Sequence, residues 1–224
     1  MSDPVQRSDS GEALALEDTQ AAPHSLSGSS PSALEGDDAD EVGLAVPGYK
    51  LLRRLGHGAY GTVFLALQEK SGKQVAIKFY SHQSAVDWNL LQTEVEKLAA
   101  VYTERSIVQL IEVGWDARPP YYVMEYLSQG SLADLLGRGT LPPNQAVRLV
   151  KDVARALVAA HGRGILHCDL KPANVLLDHD LRPRLCDFGQ SRMTSEQSPA
   201  LGTFFYMAPE QADLSAIPDA RWDV

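Results

Sequence analysis

The strongest constraint on the fold is a change of hydrophobic period along the chain. Three strand-forming runs, 49–55, 62–68 and 74–80, follow one another across a glycine cluster and a short turn at Ser71, Gly72 and Lys73. Runs so closely spaced predict an antiparallel meander. From residue 84 to about 101 the period becomes helical, with Trp88, Leu91, Val95 and Leu98 at the spacing of one face. Two further strands are predicted at 108–115 and 121–126, separated by Arg118, Pro119 and Pro120. A short helix over 131–136 and a long one over 144–161 follow, the latter opened by Pro142 and Pro143 and closed by Gly162. Beyond Ile165 the pattern is of short strands, 175–177 and 184–186, and loops. Strands with one helix inserted, then a helical region, predict an α+β protein of two unlike lobes with a cleft between them.

The preceding 47 residues differ in kind. They hold 10 acidic side chains and one basic one, Arg7, and no Phe, Trp or Tyr, so they carry the whole net charge of −9. Such a stretch buries too little apolar area to offset its ordering entropy, and residues 1–47 are expected to form a disordered acidic tail. Residues 48–224 carry 19 charges of each sign. A balanced domain with an acidic tail argues against nucleic-acid binding. Cys168 and Cys186 are too few for a disulfide framework, and neither a signal peptide nor a membrane span is recognisable, which predicts a cytoplasmic chain without membrane contact.

Five segments carry chemistry. Gly56, Gly58 and Gly61 in GHGAYGTV lie between two strands, where backbone amides can approach a polyphosphate closely. Lys78 in VAIK sits in an apolar strand and is costly to bury without an anion. Glu94 shares the inward face of Leu91 and Leu98, whereas Glu96 points away, so Lys78 and Glu94 are expected to pair. Residues 167–177, HCDLKPANVLL, and the DFG at 187–189 offer Asn174 and Asp187 as hard oxygen ligands for Mg²⁺, with Asp169 free to accept a hydroxyl proton. The fifth is GTFFYMAPE at 202–210. A zinc site from His161, His167, Cys168 and Cys186 lacks any CxxC or HxxxH spacing.

In this order the segments resemble the signature set of the protein kinase superfamily, and the match covers residues 49–224. The likeness is to bacterial-type serine/threonine protein kinases, in Lys171 and in the run YMAPEQ. It implies a small antiparallel-sheet lobe and hinge over 48–126 and a partial, mainly helical large lobe over 127–224. It further implies transfer of the γ-phosphoryl group of ATP to Ser or Thr hydroxyls of a protein substrate. The glycines would cover the phosphates, and Lys78, paired with Glu94, would hold two of them. Asp169 would be the catalytic base, assisted by Lys171 and braced by Thr203, and Asn174 with Asp187 would bind Mg²⁺. Val63, Ala76 and Leu176 would enclose adenine, with Met124 behind it and Glu125 to Leu127 as the hinge. Leu98, Leu110, His167 and Phe188 would form a spine joining the lobes.

Two features depart from the family. Cys168 stands where most members carry Arg, so the usual cationic anchor for a phosphorylated activation loop at Thr194, Ser195 or Ser198 is absent. The sequence ends at Asp223 and Val224, which resemble the opening of the large lobe's central helix, so an inactive fragment with Asp223 at a fraying terminus is expected. A reading frame continuing into an apolar span would make the parent a membrane-tethered kinase. Against transfer stand a nucleotide-binding pseudokinase scaffold and a small-molecule kinase. Lys78, Asp169, Asn174 and Asp187 together oppose the first, and Lys171 with GTFFYMAPE the second.

Overall fold

Every residue of the segment Gln74–Tyr80 except the first is buried, which makes it the centre of the architecture. In the computed structural model, which describes residues 44–58, 61–80, 85–190, 192–193, 203–213 and 216–224, this segment is β3 of a five-stranded sheet. Its companions are β1 (Tyr49–Gly58), β2 (Gly61–Gln68), β4 (Leu110–Gly114) and β5 (Tyr121–Glu125). All pairs are antiparallel, in the order β1-β2-β3-β5-β4. The expected meander covers the first three strands; β5 then inserts beside β3 and leaves β4 at the edge.

Alternation along β3 sends its side chains into two different surroundings. Val75, Ile77 and Phe79 join Val46, Tyr49, Phe64, Ala66, Tyr121 and Val123 in a core on one face. Ala76, Lys78 and Tyr80 take the other face, where Tyr80 packs with Tyr122 of β5 and with Leu91, Val95 and Leu98 of the helix α1 (Ala85–Ala100). Burying three apolar side chains of this size is worth roughly 1.5–3 kcal/mol each. A slip of one residue would trade them for Lys78 and Tyr80, so the register is fixed. Leu44 and Val46, counted with the tail from the sequence, already pack into this core. The remaining expected tail, residues 1–43, lies outside the described residues, as do Thr194, Ser195 and Ser198.

Leu91, Val95 and Leu98 face inward as expected, but Trp88 is 41% exposed. It stacks on Trp115, with ring centroids 5.8 Å apart. The second region holds α2 (Leu132–Gly137), started by a capping box in which Ser131 and Asp134 exchange hydrogen bonds, and α3 (Pro143–His161). Leu149, Ala156, Leu157 and Ala160 are the buried face of α3. Two short two-stranded sheets complete it: β6 (Ile165–Leu166) with β9 (Arg192–Met193), and the hairpin of β7 (Val175–Leu177) with β8 (Pro183–Leu185). The regions share one core, in which Leu98, Val101 and Ile107 meet Ala156, Ile165, Leu185 and Phe188. No helix among the described residues is long and apolar enough to cross a membrane.

Candidate active site

The pairing predicted from helical spacing is present. Lys78 Nζ donates to both carboxylate oxygens of Glu94 at 3.0 Å and to Oδ1 of Asp187 at 3.1 Å. Glu94 is 1% exposed. Burial alone would lower the Lys78 pKa, but the Glu94 carboxylate, Tyr122 and Asp187 outweigh it, and the ammonium is held well above its ordinary value. Burial pushes Glu94 upward while Lys78 pulls it back, leaving it somewhat above the usual carboxylate range. Two further donors were not foreseen: Tyr122 Oη gives its proton to Oε1 of Glu94 at 2.9 Å, and Tyr80 Oη gives its own to Oε2. The signal for them was available in the strand period. Tyr80 lies two residues beyond Lys78, and Tyr122 is the direct cross-strand partner of Lys78.

The second cluster lies on the loop between β6 and β7. Oδ1 of Asp169 accepts from the backbone N and from Oγ1 of Thr203, both at 2.8 Å. Its Oδ2 accepts from Asn174 Nδ2 at 3.0 Å and pairs with Lys171 Nζ at 2.8 Å. Lys171 also donates to Thr203 Oγ1 at 2.5 Å. The loop is pinned from beneath by Asp223, which takes the backbone N–H groups of His167 at 2.8 Å and Cys168 at 2.7 Å and the ring Nε2 of His161 at 2.8 Å. Asp223 is therefore buried with three partners, contrary to the expected fraying terminus, because Trp222 beside it is anchored against Leu166 and Cys168. Cys168 and Asp187 both adopt φ of 61°, an uncommon left-handed geometry for a side-chain-bearing residue, and both stand at sharp turns of this site.

Asn174 joins the two clusters. Its amide donates to Asp169, and its backbone oxygen accepts from the N–H of Cys186, the residue before Asp187. Asn174 is 5% exposed, and its Oδ1 meets no donor among the described residues. A buried, unpartnered carbonyl oxygen beside a carboxylate suits a hard divalent cation, so these residues fit Mg²⁺. Burial would raise Asp187, but Lys78 more than offsets this and holds it below the usual carboxylate range. A Cβ at Gly189 would touch Asp187 and Glu94 at 3.4 Å, so this glycine borders both carboxylates. His167 packs against Phe188, with ring centroids 4.9 Å apart and the rings tilted by 53°, and its Nε2 bonds the Cys186 carbonyl, a packing and hydrogen-bonding role as expected.

Of the residues expected around a nucleotide, Val63, Ala76 and Met124 share the sheet face of Lys78, whereas Glu125 pairs with Val75 on the other face and Leu176 belongs to β7. Val63 pairs across with Lys78, and Ala76 with Met124. Leu127 is buried and Leu176 half-buried, while the Glu125 side chain is turned to the Gln109 N–H at 2.9 Å. The three glycines are not equivalent. At Gly61, with φ of 143°, a Cβ would fall 1.9 Å from the Phe79 carbonyl, so the fold itself demands glycine. Cβ atoms at Gly56 and Gly58 would meet nothing within 4 Å. The chain leaves open space there, which is what a phosphate cradle needs. Among the described residues the only group of three neighbouring potential metal-ligand side chains is Asp178, His179 and Asp180. Asp178 is engaged by the backbone of Asp180 and Arg182 and by Arg184.

This arrangement defines a protein kinase, and comparison with known proteins agrees: the protein kinase domain family matches residues 49–224, and the chain belongs to it. Several proteins named serine/threonine-protein kinases are similar to it. Serine/threonine-protein kinase pkn2 of Myxococcus xanthus is 35% identical over 190 residues, covering 79% of this chain and 23% of that protein. CBL-interacting serine/threonine-protein kinase 18 of Arabidopsis thaliana is 34% identical over 184 residues, 79% of this chain and 35% of that protein. Serine/threonine-protein kinase PknL of Mycobacterium tuberculosis is 34% identical over 186 residues, 79% of this chain and 46% of that protein. The chain thus spans between about a quarter and under half of the length of these relatives.

Proposed function

We propose that residues 48–224 belong to the catalytic domain of a cytoplasmic protein kinase that transfers the γ-phosphoryl group of ATP to Ser or Thr hydroxyls of a protein substrate. The observation that carries this reading is Asn174, which ties the Asp169 cluster to the Lys78 cluster through two different atoms. A scaffold that only bound nucleotide would not need this link.

In this reading Lys78 and the backbone around Gly56 and Gly58 bind the phosphates. Lys78 spends its three protons on Glu94 and Asp187, so a phosphate oxygen would take the place of Asp187 Oδ1. Asn174 Oδ1 and the Asp187 carboxylate would hold Mg²⁺, which when bound neutralises charge on the transferring group. Asp169 accepts the proton of the substrate hydroxyl as its oxygen bonds to the γ-phosphorus and the bridging oxygen departs with ADP. All four acceptor positions of Asp169 are taken, and the Thr203 hydroxyl is the donor most readily exchanged for that of a substrate. Lys171 faces the same carboxylate and supplies positive charge where the transferred group carries negative. Asp169→Asn in the full-length protein should abolish transfer by at least about 10³-fold while nucleotide affinity changes less than about threefold. Radiolabel transfer and calorimetric nucleotide titration read the two quantities. Transfer at the wild-type rate would overturn the assignment of the base.

A further inference from the structure

We propose that Tyr80 and Tyr122 are positioning residues for phosphoryl transfer: their phenols lock the Glu94 carboxylate, and through it the Lys78 ammonium, before any nucleotide binds. The proposal rests on the kinase reading of Lys78 but not on any contact with ATP.

A carboxylate offers about four acceptor positions. Here all four are filled from the sheet: Lys78 reaches both oxygens, Tyr122 takes Oε1, and Tyr80 takes Oε2. These are charge-assisted bonds to a buried carboxylate, where each is stronger than its neutral counterpart. Were the phenols absent, Glu94 would have Lys78 alone, and α1 could carry it away by breaking that one ion pair. With them, withdrawal of Glu94 strands two buried phenols as well, which is costly. Phenylalanine would fill nearly the same volume, so the hydroxyls are not required for packing. Burial foremost, with Glu94 next, holds the Tyr122 pKa well above its ordinary value, so it remains a donor throughout the working range. Lys78 lies 5.3 Å from the Tyr80 ring centroid and 5.8 Å from that of Tyr122, so the rings flank the ammonium as well. The restraint is aimed at one carboxylate, since neither hydroxyl bonds any other described group.

The test is a cycle in the full-length protein: Tyr80→Phe, Tyr122→Phe and the double variant, each in the wild-type and the Glu94→Gln background. Steady-state phosphorylation of casein and amide hydrogen exchange over residues 91–98 are measured for all. In the wild-type background each single variant should lose about threefold in kcat and the double variant about tenfold or more, with the KM for casein unchanged. Exchange over 91–98 should accelerate while that of β3 and β5 stays the same. In the Glu94→Gln background the same changes should alter kcat by less than about twofold. Equal losses in both backgrounds, or unchanged exchange in the double variant, would overturn the lock. If the double variant does not fold, the single variants carry both readouts. If the wild-type protein transfers no phosphate, the kinase reading fails by itself and exchange over 91–98 still decides the lock.

Discussion

Glu94 and Asp169 are each held by four hydrogen-bonding contacts from their own chain, yet the two carboxylates are supported in opposite ways. The donors to Glu94 come from adjacent positions on β3 and β5, inside a sheet whose register is fixed by apolar burial. Those to Asp169 come from a loop, a 3₁₀ turn and Thr203, the last thirty-odd residues away in sequence. A group that must hold still is built into strands. A group that, in the proposed mechanism, exchanges a proton with an incoming hydroxyl is surrounded by donors that can be replaced one at a time.

Removing the cation from the first cluster should have the largest effect on stability. Lys78→Met leaves Glu94 buried with only phenols around it and Asp187 nearby, and breaking a buried pair in this way costs about 3–5 kcal/mol. Asp169→Asn turns one of two fully occupied oxygens into an amide that faces donors but leaves no isolated buried charge, so it should cost about 2 kcal/mol by the same urea titration, less than the loss of Lys78. Comparable losses in the two variants would erase the contrast. Next in size is Asp223→Asn. One of its oxygens becomes an amide that cannot accept from the N–H of Cys168 or from that of His167, so about 2 kcal/mol should be lost. Since the catalytic loop is what Asp223 holds, kcat should fall by at least about tenfold while nucleotide affinity stays near wild type.

How much of this was legible in the sequence follows from which interactions are local. Helical spacing placed Glu94 inward and Glu96 outward, and the charge of Lys78 then demanded a partner. Strand periods gave β3 and β7 with their observed bounds. Trp88 misled because its spacing matches the buried face, although the helix end turns it toward Trp115 rather than the core. The insertion of β5 beside β3 has no local signature, and the role of Tyr122 depends on that pairing. The two-residue strands β6 and β9 depend likewise on each other across β7 and β8, and the grip of Asp223 on the loop after β6 spans 55 and 56 residues of sequence. The roles of the site residues came from resemblance to a family, and geometry then supplied the distances.

A smaller effect concerns the hairpin that carries Asn174 at one end and Asp187 at the other. Asp178 follows β7 and accepts from the N–H groups of Asp180 and Arg182 at 2.9 Å, with Arg184 at 3.3 Å. Burial by itself would raise its pKa, but the two N–H groups and Arg184 more than compensate, and the carboxyl lies below its ordinary value. A carboxylate whose folded pKa is depressed stabilises the fold above its unfolded value of about 4 and loses that contribution as pH falls through the folded value. Asp178→Asn should therefore cost about 1 kcal/mol at pH 7, with the difference from wild type shrinking below about pH 4. Thermal unfolding at pH 7, 5 and 3 checks the sign. A difference that grew on acidification would contradict the assignment.

The smallest expected effect is the absence of one, and it bears directly on the contrast between the two clusters. In an enzyme whose catalytic loop carries an arginine before the base, phosphate on the activation loop would have a cation to meet there. Here that position is Cys168, buried with Leu166 and Trp222 and bordered by Ala208 and Ala216, an apolar setting that offers a phosphate nothing. The Lys78 cluster meanwhile has its partners in place through β3, β5 and α1. Activity of the full-length protein should then change by less than about twofold on exhaustive phosphatase treatment. Treated and untreated samples are compared by initial rates on casein, with mass spectrometry confirming that Thr194, Ser195 and Ser198 carry no phosphate. A loss of tenfold or more that rephosphorylation restores would mean that a cation elsewhere orders the loop, and that the Asp169 cluster is set by modification while the Glu94 cluster is set by the fold.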